Sequence, residues 1–320
     1  MAKPVDTIAV EAAIQPKKTR KSKRFKNQGQ LMWMSLPVLI YVMLFSYYPI
    51  WGWTMAFQNY KPAKSFGEQE WVGLKQFKFL FTDDSFLRVL RNTIGMSAIN
   101  MVLGFVTAII FAILLNEVKN KLFKRSIQTI SYLPHFLSWI IVTGIVATSL
   151  SVDGGIVNEV LMKLGIIHEP IMWLSEPKYF WGIVGASHVW KEVGWNAIIY
   201  LAAITSIDPS LYEAAEIDGA NRYHKMWYIT LPGIKSIVII LLIMNLGWIL
   251  EAGFEVQYLL GNGVVVDWSE TIDIFVLKYG LKQGNYSLAT AAGIFKTVVS
   301  ITLIYAANTI AKRFGEERLI

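Results

Sequence analysis

Lys191 and Glu192 stand side by side inside an otherwise apolar run, Tyr179 to Ile207. An ammonium and a carboxylate in such a run are costly to hold away from water, so they face an interior cavity or a partner rather than lipid. Trp190, Trp195 and Asn196 flank them, and Tyr200 follows one turn on. A second group, Asn245, Trp248 and Glu251, closes another apolar run, and Lys296 sits within a third. Indole rings suit the apolar face of a pyranose, while amides and charges suit its hydroxyls. Lys296 has no acidic residue within four positions, and an unpaired cation on a cavity wall would attract a carboxylated sugar. Adjacent helical residues point about 100° apart, so Lys191 and Glu192 need not pair. A plainer reading of the same residues is an interfacial tryptophan belt with Lys191 paired or snorkelling, and Lys296 bound to an acid on another segment.

Catalysis finds less support. There is no Gly-x-x-x-x-Gly-Lys-Ser/Thr loop to cradle a phosphate and no His-Glu-x-x-His pair for a metal. His135, His168, His188 and His224 are scattered over different segments, and cysteine is absent. The chain is therefore expected to hold no cofactor or metal and to hydrolyse no ATP itself. An intramembrane enzyme, one alternative, lacks a catalytic constellation.

The elements that must position these groups are apolar. Hydrophobic residues make up 54% of the 320 and charged residues only 17%, against about 25% charged in soluble domains. This is the composition of a polytopic membrane protein. The net charge of +7 needs no nucleic acid to explain it, because eight of the 30 Lys and Arg precede residue 27, and a basic tail beside a span is a topology signal. Six apolar runs follow: Leu31–Phe57, Ile94–Leu115, Ser126–Val152, Tyr179–Ile207, Ile234–Leu250 and Ser287–Ala311. Each is long enough for a membrane helix or nearly so. The expected fold is all-α with six transmembrane helices. Residues 1–30 form a disordered basic tail that touches lipid headgroups, 31–93 a first span with an external amphipathic segment, 94–311 a five-helix core, and 312–320 a tail. Even parity puts both termini on one side. With the N-terminus inside and Lys235 counted with the loop before it, cytoplasmic segments hold 18 Lys and Arg, external ones ten and spans two, which favours cytoplasmic termini in a bacterial inner membrane.

Between the fourth and fifth runs lies a polar island, with a loop at 206–232. Asp208-Pro209 is a helix start, Gly219 a turn taking positive φ, Asn221 a cap for a second helix to about Thr230, and Pro232 a break. The pattern Glu213-Ala214-Ala215, three residues, Gly219, nine residues, Ile229, one residue, Leu231-Pro232 resembles the EAA loop of permeases in ATP-binding-cassette importers. Trp71-Val72-Gly73-Leu74-Lys75-Gln76-Phe77 is similar to a segment after the first span of sugar-importer permeases, with Gln76 for the usual Asn. Tyr132-Leu133-Pro134-His135-Phe136 and Trp190-Lys191-x-x-Gly194 resemble the subgroup handling complex and acidic oligosaccharides such as alginate. The resemblance to maltose-type permeases covers roughly residues 30–315. It implies a type I importer permease fold, and a coupling loop in which Glu213, Ala214, Ala215, Gly219, Ile229, Leu231 and Pro232 dock on an ATPase. It further implies a second, paralogous permease chain, two ATP-binding subunits carrying ATP and Mg, and an external solute-binding protein. Because the loop is shared, a permease for a non-sugar solute is the other alternative.

Overall fold

The computed structural model describes residues 21–313. Residues 1–20 and 314–320, which include most of the expected basic tail and the end of the C-terminal tail, lie outside the described residues. The chain divides into two units, Met1–Trp53 and Thr54–Ile320. The first contains α1 (Lys21–Val42), which begins well before Leu31 and so includes part of the stretch expected to be a disordered tail. The helix runs through Pro37, widens to a π turn over Met43–Tyr47 and tightens to 3₁₀ geometry from Tyr48, with Pro49 at the change.

Among its described residues the second unit is mainly helical, with one short ribbon, Gln58–Asn59 (β1) against Glu70–Trp71 (β2). Its long elements are α3 (Asp84–Glu117), α7 (Pro177–Thr205) and α15 (Tyr286–Arg313). α3 and α15 are long and apolar enough to cross a membrane, as is Leu31–Phe57. At about 1.5 Å per residue, the 29 residues of α7 also suffice, although Lys191 and Glu192 dilute its apolar character. The third and fifth runs are broken. Lys121–Phe136 (α4, Lys121–Tyr132, with a 3₁₀ turn at Leu133–Phe136) meets α5 (Trp139–Ser149) at 104°. Pro134 has no N–H to continue the ladder, Leu137 is extended, and Ser138 caps α5 by accepting from Ile141 N at 3.4 Å. The single third span expected from composition is thus a sharp corner.

Small residues bring α3 and α7 together. Gly104, Ala108 and Ala112, four apart, are all buried on one face of α3, where α7 supplies Ala197, Tyr200 and Ile204 to the same cluster. The opposite face, Val102, Val106, Ile110 and Leu114, is exposed and apolar, as a lipid-facing stripe must be. Gly185 of α7 sits where a Cβ would lie 2.7 Å from Ile99. A second cluster joins Phe86 of α3 to Phe275 and Leu288.

The segments between the long apolar runs, one of them expected to be amphipathic and the others polar, contain further helices. These are α2 (Lys75–Thr82), α6 (Ile156–Lys163), α12 (Phe254–Leu260), α13 (Val266–Ser269) and α14 (Ile272–Val276). Asn158, 1% exposed, organises the 151–173 connection. It donates to the carbonyls of Ser151 and Ile171 and accepts from Ile171 N and Trp173 Nε1.

Candidate functional site

Two features are candidates for function: a cavity among the helices lined by both apolar and polar side chains, and a knob at their end. The knob is built as its sequence dictates. α8 (Pro209–Ile217) starts on Asp208, whose carboxylate accepts from Ser210 N at 3.0 Å. That hydrogen bond holds the Asp208 pKa below its ordinary value. Gly219 takes φ +79°, the left-handed turn expected of it. Asn221 caps α9 (Arg222–Lys225) by accepting from His224 N at 2.9 Å. The helical path continues as a π turn, Met226–Thr230, into α10 (Leu231–Gly233). Pro232 thus stands in the last turn, just before the expected break, and the helix runs past its expected end near Thr230. The proline has no N–H to give the Tyr228 carbonyl, so the ladder widens just ahead of it, and the chain bends by 57° into α11 (Lys235–Gly247).

Within the knob, Tyr212 Oη and Thr230 Oγ1 lie 3.0 Å apart, and Lys225 Nζ meets Glu216 at 3.1 Å. Glu213, Ala214, Gly219 and Pro232 are exposed, whereas Ala215, Ile229 and Leu231 are half-buried. Leu231 packs beneath against the cluster containing Ile204 and Ile234. Ile217 is 87% exposed and Tyr228 77%. The knob thus presents exposed apolar side chains around the Glu213 carboxylate.

The cavity has a volume of about 290 Å³. Asn196 and Tyr200 of α7 line it, as do Asn245 of α11, Trp248 and Glu251. These five residues were expected to lie on one path, and tertiary structure brings them together. Trp248 and Glu251 sit where the fifth run stops being helical, between α11 and α12, a stretch completed by Gly253 at φ +91°. Irregular backbone at membrane depth is tolerated where it lines a cavity.

The other candidates fall elsewhere. Trp190 is 43% exposed and does not line the cavity. Lys191, buried, donates to the His135 carbonyl at 2.7 Å and meets Glu192 Oε1 at 3.0 Å. Glu192 Oε2 lies 2.7 Å from His135 Nδ1, and the His135 ring stacks on Trp195 at 4.3 Å. The pair that need not have formed does form, because the broken helix delivers a free carbonyl and an imidazole at its corner. Lys191, Glu192 and Trp195 thus clamp the α4–α5 corner to α7. Lys296 is not an unpaired cation either. Its Nζ lies 2.8 Å from Asp273 and 3.3 Å from Glu251. Both acids are distant in sequence, which is why a four-residue window missed them.

Sequence reasoning also missed cavity residues. Ser97 and Asn100 of α3, Trp139 of α5 and His188 of α7 line it. Ser97, Asn100 and Gly104 share one helical face of an otherwise apolar run, a polar stripe that was there to be read.

Broken and unbroken apolar helices around a polar cavity, with an exposed knob between the fourth and fifth, define a multi-pass membrane transport component. The chain belongs to the family of binding-protein-dependent transport system inner membrane components, whose model matches residues 100–315. It is 46% identical over 311 residues to the polygalacturonan/rhamnogalacturonan transport system permease protein YteP of Bacillus subtilis (strain 168), covering 97% of this chain and 96% of that one. Its fold matches a chain of a bacterial ABC transporter involved in the import of the acidic polysaccharide alginate. The TM-score is 0.84 at 39% identity, over 91% of this chain and 98% of that one. A second structure, the alginate transporter in complex with alginate pentasaccharide-bound periplasmic protein, matches at TM-score 0.84 and 38% identity, over 92% of this chain and 98% of that one. The EAA-loop resemblance and the all-α permease fold expected from the sequence agree with this membership.

Proposed function

We propose that this chain is one permease subunit of an ATP-driven importer for oligosaccharides that carry uronic acids. The observation that carries the reading is likeness, over nine-tenths or more of the chain, to a polygalacturonan/rhamnogalacturonan transport permease and to a chain of a transporter that imports the acidic polysaccharide alginate. The cavity supports it. Trp139 and Trp248 offer ring faces, and Asn196 and Glu251 offer polar groups to one small space. The chain has a cytoplasmic knob of α8, α9 and α10 that docks on an ATP-binding subunit, where ATP and Mg are held. A second permease completes the path, two ATP-binding subunits drive it, and an external solute-binding protein delivers the sugar. Both termini are cytoplasmic. Closure of the ATPases moves the knob, the helices above it follow as rigid bodies, and the cavity alternates between the two sides.

The test is the assembled complex reconstituted in vesicles, with ATP hydrolysis and uptake followed against a panel of neutral and uronate-bearing oligosaccharides with their binding protein. Stimulation by uronate oligomers supports the reading. Stimulation only by neutral sugars overturns the acidic cargo, and stimulation only by a non-sugar solute overturns the whole reading.

A further inference from the structure

A second cavity, about 510 Å³ in volume, lies between α11 and α15. It shares no residue with the first, because α11 turns Leu241, Asn245 and Trp248 to one cavity and Ile239, Leu242 and Leu246 to the other. On α15 its wall is Ala306, Ala307 and Ile310. Where the exposed stripe of α3 carries Val, Ile and Leu, α15 carries alanines, and their short side chains leave a trough. Among the described residues lining it, Lys235 alone has a polar side chain. Lys235 shares its end of the trough with Ala311, and the exposed Lys312 and Arg313 follow directly in the last turn of α15. No acidic residue occurs from Lys235 to Leu250 or from Ser287 to Arg313. The trough is therefore cationic at one end and apolar beyond it.

Its length decides what fits. Lys235 to Leu246 covers about 16 Å at about 1.5 Å per residue, roughly half of a hydrocarbon core of about 30 Å. At the far end the helices meet, since a Cβ on Gly247 would lie 2.5 Å from Ile304. A span from another subunit crosses the whole core, whereas a single acyl chain of one leaflet matches this length. One lipid tail is as apolar as the next, so burial alone selects none. The cations at the end do select, by drawing a headgroup of net negative charge. We infer that the trough between α11 and α15 binds one anionic phospholipid, its acyl chain along Leu242 and Ala307 and its headgroup at Lys235, Lys312 and Arg313. The topology proposed above puts this site in the cytoplasmic leaflet, and that orientation is all the inference takes from the proposed function. The headgroup then sits where the knob bends by 57° into α11.

The test uses the whole importer, purified with its partner subunits, and native mass spectrometry of the phosphatidylglycerol and phosphatidylcholine that it keeps when both are offered with the same acyl chains. The wild type is expected to keep phosphatidylglycerol in preference. Replacing Lys312 and Arg313 together by Gln should weaken its retention by about fivefold for each cation lost and leave phosphatidylcholine unchanged. Ala307→Trp fills the trough and should remove the preference with every subunit still present. Val106→Trp sets the same ring on the exposed stripe of α3 and should change nothing. Equal retention of the two lipids by the wild type overturns the inference. So does an undiminished preference in Ala307→Trp or in the double variant, and so does an equal loss in Val106→Trp. Loss of a subunit from the Ala307→Trp complex also overturns it, by making the trough a protein interface. The readout is bound lipid, so a cargo other than acidic sugar would defeat the proposed function and leave this result standing.

Discussion

Gly194 offers the most exacting test of how the helices are held. A Cβ built there would lie 2.1 Å from the Ser131 carbonyl oxygen and 2.5 Å from its carbon. Both are backbone atoms of α4, so no side chain can swing aside. Ordinary contact begins near 3.4 Å, so Gly194→Ala requires α4 and α7 to separate by about 1.3 Å here. His135 follows Ser131 by four residues and is held by two contacts of 2.7 Å, from Lys191 Nζ to its carbonyl and from its Nδ1 to Glu192. A displacement of that size carried along the chain stretches them to about 4 Å, beyond hydrogen bonding. Overpacking of this kind costs about 1–3 kcal/mol, and a hydrogen bond to a charged group adds about 1.5–3 kcal/mol when lost. Gly194→Ala should therefore destabilise the protein by roughly 3–5 kcal/mol, seen as a fall in the thermal unfolding midpoint of the purified complex. Gly182→Ala is the internal control. It lies in the same helix with nothing within 4 Å of its Cβ position, and the exchange should be neutral or stabilising by about 0.5–1 kcal/mol. If both variants melt together with the parent, the close α4–α7 approach is not what holds the corner.

Three further outcomes are expected. Gly219→Val forces a β-branched residue towards φ +79°, and Glu213→Lys reverses an exposed charge on the docking face. Both should insert normally and lose ATPase docking or transport, and normal transport with normal complex yield would refute the assignment of the knob. Lys296→Gln leaves Asp273 and Glu251 facing one another without their shared cation. It should lower complex stability and reduce uptake of acidic and neutral sugars alike, and a loss confined to acidic sugar would show that Lys296 does meet the cargo. Cysteines introduced at Asn27 and Glu317, in a chain with none of its own, should be shielded from an impermeant thiol reagent in intact cells. Labelling from outside at either would overturn the topology.

The knob was legible residue by residue because its determinants are local. Asp208 and Asn221 cap within three residues, Gly219 supplies its own positive φ, and none of the three needs a distant partner. The apolar runs were legible for the same reason, since a membrane selects helix by composition alone. The breaks within them were only half visible. Pro134 marks the place of one corner, but its 104° turn depends on Ser138 capping the next helix and on Lys191 taking up the His135 carbonyl. Charge partnership was decided wholly by tertiary structure. Lys296 finds Asp273 and Glu251 across 23 and 45 positions of sequence, and the Lys191–Glu192 contact forms beside an imidazole delivered from another helix. A short window of sequence measures neighbours along the chain, whereas the cost of a charge at membrane depth is set by neighbours in space. The cavity follows the same division. The sequence marked which residue types could line it, and the packing of α3, α7 and α11 selected Asn196, Tyr200, Asn245, Trp248 and Glu251, added Ser97 and Asn100, and turned Lys191 and Lys296 to holding the walls in place.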